Sequence, residues 1–487
     1  MEKKNYFIEY KRYTIEELAK KLDKPILETE EIIKRLENRF IKSEVLDVSE
    51  SGFIKEVVNY YFDYVGVIVE GETVIHCVPS FFLDDNNLNI HEEYSKVVKV
   101  IEKYYLKKKK DGTSPIYETY SRTDKSRKNY IELIIELLRD YLINGLYEND
   151  IEIIQDNGNG DIDWGLTVNE VTPIIIKNRP LYNTLKTLSR ETDDSDFIKR
   201  LHLAIIFMGY NKLYNCGLAD LLGISNIRIF GEDIYDIGSV EYLKQMIIKE
   251  KNIQYITRKL YVLDLMYSIL NEYEKSKYAL EKYNFGTKDF NYVWEDVCSV
   301  VISNHKNIKL NQLESVKNSI NTKYINKSIM DVIEPVKWIW QTKDSSDNTQ
   351  RNKMFERGKP NPDILLLRSV NGEIQMFILD AKYYNFHIDQ KDICNNPGLS
   401  DVLKQYVYEL SLKKFTDENN IAIYCNAFLF PSSKTYNNEK SYAIYNPLSQ
   451  IGDLKLEKIK AIRVDASVFF DAYLNERLID INDIIQE

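Results

Sequence analysis

The stretch that most constrains this chain runs from Arg357 to Tyr384, where two apolar runs flank Asn371-Gly372. Asn-Gly between such runs is the strongest short-range hairpin signal, because both central positions of a type I′ turn need positive φ. It predicts one strand from Asp363 to Ser369 and a second from Glu373 to Tyr384. The runs Ile364-Leu-Leu-Leu367 and Met376-Phe-Ile-Leu379 suit strands largely buried in a sheet. Asp363 opens the first run and Asp380 closes the second. Lys382 stands two residues after Asp380, so on a strand both side chains leave the same face. An unpaired carboxylate in such a place is costly. The simplest partner for two acids and a lysine is a divalent metal, and Mg²⁺ takes oxygen ligands, commonly one or two carboxylates plus phosphate oxygens.

With 487 residues the chain has room for roughly two to four domains with real cores. Its net charge of −10 excludes a basic nucleic-acid coat. Contact with DNA would have to come from local patches, Lys107 to Lys110 or the segment Arg351 to Lys359. The second lies beside the acids, so Arg357 and Lys359 are the candidates; a lysine run such as the first is more commonly a solvated helix end. The five cysteines show no Cys-x-x-Cys spacing, which argues against a zinc ribbon and for a reducing compartment. Met1-Glu-Lys-Lys-Asn5 holds no signal core, and no apolar run reaches membrane-spanning length. A cytoplasmic chain with no membrane contact is expected.

Taken in order, residues 13 to 48 resemble a winged-helix-like unit, bounded as 1–55. Thr14 and Glu17 form a capping box before Ile15, Leu18, Ala19 and Leu22, which share one helical face. Pro25 breaks the chain, a second helix carries Ile32, Ile33 and Leu36, and Val45 to Val48 opens a wing. Such a unit touches DNA or docks a protein; the alternative is a helical hairpin packed on the next domain. Residues 56–170 read as a mixed domain: a hairpin of Tyr60 to Val69 and Thr73 to Val78, then helices over 92–107 and 124–147. Gly158 and Gly160 make a turn between strands rather than a phosphate loop, since no Gly-Lys-Ser/Thr follows and no helix is expected to open there. Residues 171–284 read as a helical scaffold or partner-docking region.

From 285 to 487 an α/β/α domain is expected. A helix from Phe285 to about Ser303 carries Glu295 among apolar neighbours, either a partly buried acid with a role or a solvated glutamate. Pro335 to Trp340 reads as a strand, followed by a polar loop to Arg357 that faces substrate. After the hairpin come a helix from Asp401 to Lys414, strands at 420–429 and 457–464, and a helix near 466–475. The fold class is multidomain α+β, with a mixed β and helical middle region.

Pro362-Asp363 and Asp380-Ala381-Lys382 resemble the PD-(D/E)xK pattern of metal-dependent nucleases. That resemblance implies that Asp363 and Asp380 hold Mg²⁺, with Mn²⁺ able to substitute, and that Lys382 orients the attacking water or stabilises the transition state. Many nucleases of this fold add a glutamate on the helix before the sheet, which falls on Glu295 as a further ligand. In the RecB-like branch a glutamine and a tyrosine on the following helix support the site and the DNA backbone. Gln405 fits first, then Tyr406, then Tyr408.

Four stretches together are similar to the LlaJI-type restriction endonucleases, relatives of the McrC nuclease subunit. They are Tyr64-Val-Gly-Val-Ile68 leading to Pro79, Gly158-Asn-Gly-Asp-Ile-Asp-Trp164, Gly286-Thr287 with Phe290 and Val293-Trp-Glu295, and the acid–lysine core with Gln405. The resemblance spans about residue 55 onward. Ser80-Phe81-Phe82 departs from it where Lys and Tyr are expected, which leaves that turn's contact open. It implies a Mg²⁺-dependent endonuclease subunit of a restriction, phage-defence system, acting on double-stranded DNA with a McrB-like AAA+ GTPase and open to self-association. The chain has no Walker A sequence of its own, consistent with nucleotide hydrolysis in a partner. The competing readings are a non-catalytic DNA-binding adaptor that couples an AAA+ partner to DNA and, resting on residues 13–48 alone, a transcription regulator.

Overall fold

The structure, a computed structural model, describes residues 6–50, 53–84, 89–110, 130–192, 196–225, 228–276, 282–333, 335, 337–343, 350–356, 358–384, 387–388, 393–394, 397–433, 442–445 and 456–485. It is a mixed α+β chain in two compact units. One comprises Met1–Val67, Ile75–Tyr117 and Gly286–Glu487; the other comprises Ile68–Val74 and Glu118–Phe285.

In the first unit the Thr14–Glu17 capping box closes in both directions, with Glu17 N–H donating to Thr14 Oγ1 at 3.3 Å and Thr14 N–H to Glu17 Oε2 at 3.0 Å. It starts the helix Ile15–Leu22, which ends at Asp23 in the left-handed region. The helix Ile26–Leu36 follows and buries Ile32, Ile33 and Leu36. Ile41–Glu50 then pairs antiparallel with Phe53–Phe62. Tyr60 to Phe62 therefore belong to this hairpin and not to the next one, whose strands are Val65–Glu70 and Thr73–Val78. Tyr6–Ile8 pairs in parallel with His76 to Val78.

The same unit holds a five-stranded mixed sheet in the order Ile364–Val370, Glu373–Ala381, Ile421–Ser432, Ile459–Asp465, Tyr442–Tyr445. The two outer pairings are antiparallel and the two inner ones parallel. Parallel neighbours need a crossover, and the helix Leu399–Glu418 supplies it. Leu365, Leu367, Met376 and Ile378 pack with Leu412 and Phe415 of that helix. Tyr442–Tyr445 was not foreseen from the sequence. The helix expected from Phe285 begins instead at Phe290, because Phe285 to Thr287 end the strand Lys282–Thr287. The polar loop expected after Trp340 is a strand, Gln350–Glu356, in antiparallel register with Lys337–Lys343.

In the second unit Lys186–Thr192 lies between Asp150–Asp156 and Asp161–Ile162. Gly158 and Gly160 fall in the turn, as read. A short helix, Trp164–Glu170, nevertheless opens right after it, because Asp163 caps it by accepting from Leu166 N–H at 3.0 Å. The helices Tyr130–Asn144, Phe197–Asn215, Val240–Ile253 and Thr257–Ser276 make up most of the rest. No described helix is long and apolar enough to cross a membrane.

Candidate active site

Asn371 and Gly372 have φ of 51° and 86°, so both central turn residues are left-handed and the hairpin closes as its sequence dictates. Val370 then faces Glu373 and, up the ladder, Ile364 faces Leu379. One further step of the same register sets Asp363 opposite Asp380. Directly opposed residues share a face, and alternation puts both acids on the face of Leu365 and Ile378. The acids thus stand at the open end of an apolar ladder.

Asp363 Oδ2 accepts from the Ala381 N–H at 2.9 Å. Asp380 is 5% exposed and pairs with Lys382 Nζ at 2.7 Å. The same ammonium reaches Asp401 Oδ1, near the start of the crossover helix, at 3.1 Å. Lys382 N–H and the Trp294 indole N–H both donate to the Leu429 carbonyl, at 2.9 and 3.3 Å, which ties the helix Phe290–Val301 to this end of the sheet. Glu295 rides on that helix.

Burial, then the charges of Asp380 and Glu295, pushes Asp363 up to about 7. Burial and Asp380 also raise Glu295. Burial alone would lower Lys382, but its ion pairs with Asp380 and Asp401 outweigh it and hold the ammonium above its usual range. Tyr408, on the crossover helix, is pushed up to about 12 by burial and by the charges of Asp380 and Asp363. Asp363 and Glu295, both raised, gather with Asp380 at this end of the sheet as oxygen donors of the kind a hard cation takes. Among the described residues no three His, Cys, Asp or Glu side chains form a ready-made metal cage. Carboxylate oxygens are the ligands that Mg²⁺ takes, commonly one or two of them together with water and phosphate oxygens.

The other expected residues are placed differently. Gln405 is fully buried and its amide N–H donates to the Ile378 and Ala427 carbonyls at 3.3 and 3.4 Å, stapling the crossover helix to two strands. Tyr406, 2% exposed, packs with Val402, Phe428 and Phe430, so its ring fills the core rather than lining a surface. Lys359 is exposed, and its ammonium donates to the Met330 carbonyl at 3.4 Å. Arg357 lies outside the described residues. Lys107, from the lysine run, ends a helix and pairs with Asp296 at 2.7 Å.

Three residues at the site were not named as site residues from the sequence. Asp401 shares Lys382, as above. Asn304 donates to the Asp363 carbonyl at 2.6 Å and accepts from Leu365 N–H at 3.1 Å. Lys306 donates to the Pro362 carbonyl at 3.1 Å. No periodicity or motif marks them; the one usable signal is that Asn304 and Lys306 follow directly on the helix bearing Glu295. The departure at Ser80-Phe81 also finds its contact. Ser80 N–H donates to the Tyr383 hydroxyl at 3.4 Å, and the Phe81 ring meets the Tyr383 ring edge-on at 6.3 Å.

A mixed sheet with opposed acids and an adjacent lysine at its end defines a class of candidate hydrolytic site. The model of the LlaJI restriction endonuclease family matches residues 64–467. The chain belongs to that family. The component YdjA of the type II restriction enzyme BsuMI of Bacillus subtilis (strain 168) is 27% identical over 445 residues, covering 87% of this chain and 83% of YdjA. Among solved structures, a chain in the half-complex of Thermococcus gammatolerans McrB AAA+ hexamers with bound McrC is 13% identical, with 99% of each chain covered and a TM-score of 0.36. A chain of the cryo-EM McrBC complex from the same organism covers 60% of this chain and 84% of its own length at 13% identity, with a TM-score of 0.23. Both scores fall below the level at which a shared fold is argued.

Proposed function

We propose that this chain is the DNA-cutting subunit of a restriction system, hydrolysing phosphodiester bonds in double-stranded DNA with Mg²⁺ at the Asp363–Asp380 end of a PD-(D/E)xK-type sheet. The observation that carries this reading is the hairpin register, which opposes the two acids on one face while Lys382 sits in ion-pair contact with Asp380. Membership of a restriction endonuclease family supports it. Asp363 and Asp380 would hold the ion, with Glu295 as a further ligand, and Mn²⁺ would serve in its place. When bound, the metal supplies an ionised water and neutralises charge on the scissile phosphate. Asp380 and Asp401 position Lys382 so that its charge lies beside the reacting group. Gln405 keeps the strand that delivers Asp380 fixed against the crossover helix, and DNA approaches over the exposed Lys359.

The relative's description as a component of an enzyme supports action within an assembly. An AAA+ GTPase of the McrB type is the partner that the family resemblance implies, in the cytoplasm. The two helices and long hairpin of residues 15–62 supply the parts of a winged-helix-like unit, for DNA or protein contact. The test is plasmid DNA with Mg²⁺, with and without such a GTPase. Cleavage abolished in Asp363→Asn and Asp380→Ala is expected; cleavage that survives Asp380→Ala overturns the assigned site, and none under any condition favours the non-catalytic adaptor.

A further inference from the structure

Two lysines face the acids, and they are committed very differently. Lys382 is shared between Asp380 and Asp401. Lys306 is half-buried, and among the described residues its ammonium donates to neutral oxygens alone, the Pro362 carbonyl at 3.1 Å and Asn361 Oδ1 at 3.4 Å. It makes no ion pair among the described residues, although Asp363, Glu295 and Asp380 all act on it electrostatically. Its backbone is held at both groups: Lys306 N–H donates to Asn304 Oδ1 at 3.1 Å, and its carbonyl accepts from Met330 N–H at 3.0 Å. Burial disfavours its charge. A cation held at such a site, aimed at the residue before Asp363 and not neutralised, is a ready partner for an anion that arrives with the substrate.

We propose that Lys306 takes hold of a non-bridging oxygen of the scissile phosphodiester, while Lys382 remains with the carboxylates. This rests on the nuclease reading above and deepens it. A phosphate contact has a signature that a structural lysine lacks: each phosphate neutralised steepens the fall of log K with log salt by about 0.9 on duplex DNA.

The experiment compares the full chain with Lys306→Met and Lys306→Arg. Duplex binding is measured across a salt series with Ca²⁺ replacing Mg²⁺, plasmid cleavage with Mg²⁺, and folding by thermal unfolding. Lys306→Met is expected to fold, to lower the salt slope by about 0.9 and to slow cleavage about 100-fold, with Lys306→Arg restoring the slope. A folded Lys306→Met with the wild-type slope overturns the proposal, whether its cleavage is intact or lost. If Lys306→Met fails to fold, Lys306→Gln decides: a slope lower by about 0.9 supports a phosphate contact, and a wild-type slope overturns it. Wild-type protein that binds with the expected slope difference yet never cuts sinks the nuclease reading and leaves the phosphate contact standing.

Discussion

Asn304 grips the edge strand on both sides of Ile364, the residue after Asp363, donating to the Asp363 carbonyl at 2.6 Å and accepting from Leu365 N–H at 3.1 Å. The amide is itself anchored, since Asn304 Nδ2 also donates to Ser299 Oγ at 2.9 Å. Its neighbour His305 extends the grip, donating its N–H to the Leu365 carbonyl at 2.8 Å. This loop therefore acts in place of a further strand along that end of the sheet, and it decides where Asp363 points. Asn304→Ala is expected to cost about 1–3 kcal/mol, the penalty for stranding two backbone groups. Cleavage should fall further than stability explains, about 10- to 100-fold, because small displacements of a reacting group are that costly. Denaturant unfolding and cleavage rates on the same preparation check both. Unaltered cleavage would remove Asn304 from the site.

Lys382 is the second test of how the site is balanced. Asp380 and Lys382 have side chains 7% and 18% exposed, so removing the lysine leaves a nearly buried carboxylate without its cation. Breaking such a pair from one side costs about 3–5 kcal/mol. Lys382→Ala should therefore lose stability as well as cleavage. Adding Asp380→Asn should recover much of the stability and none of the cleavage. Urea midpoints of the two variants separate these effects, and equal midpoints would show that the ion pair adds nothing to the fold.

The central hairpin was legible in the sequence because everything that sets it is local. Asn371-Gly372 fixes the turn, the turn fixes the register, and the register opposes Asp363 and Asp380. The crossover helix and the two strands after it were likewise readable from their apolar runs. What lay beyond reach was anything that depends on distant chain arriving at the sheet's end. Lys306 and Asn304 sit in a polar loop, and Asp401 looks like any first-turn acid on a helix; only the folded sheet brings all three to Asp363 or Lys382. Pattern alone leaves the phase of the crossover helix undecided, and the RecB-like resemblance, not the pattern, is what points Tyr406 toward DNA. In the structure Tyr406 is core, and half-buried Tyr408 senses the acids instead. Gln350–Glu356 escaped because its sequence, Gln-Arg-Asn-Lys-Met-Phe-Glu, has little apolar alternation, and its pairing comes from the partner strand.

Gly286, which belongs to one of the four stretches similar to the LlaJI-type enzymes, has a backbone reason to be glycine. Its φ is 152°, and a Cβ there would lie 2.1 Å from the Val65 carbonyl oxygen and 2.7 Å from the Gly66 Cα. Backbone cannot retreat as a side chain can. Gly286→Ala is expected to destabilise the fold by about 3 kcal/mol, from strain and overpacking together. Protein that still folds should bind DNA as the wild type does, since no group facing the acids changes. Thermal unfolding reads the first effect and duplex binding the second; an unchanged unfolding temperature would show that the strands part easily here.

Glu9 offers a pH test away from the acids. Its carboxyl is fully buried and accepts from the Tyr383 hydroxyl through Oε2, and among the described residues Oε1 makes no hydrogen bond of ordinary geometry. Burial pushes its pKa up to about 8, helped by the charge of Asp63 and opposed by the Tyr383 hydroxyl. Unfolded, the same group titrates at its ordinary 4.5. Below about 4.5 both states keep the proton and Glu9 adds no pH dependence. As pH rises from there the unfolded chain releases its proton while the folded chain holds on, so unfolding is favoured progressively until about 8, where the folded carboxyl ionises as well and the loss levels off. Glu9→Gln keeps the hydrogen bond to Tyr383 in reach and never ionises, so it should abolish this component. Urea midpoints of wild type and Glu9→Gln taken from pH 4.5 to 9 should diverge steadily in favour of the glutamine and then run parallel. Profiles parallel throughout would mean that Glu9 carries the same charge folded and unfolded, and that the contact beneath Tyr383 is polar in a way the buried geometry does not account for.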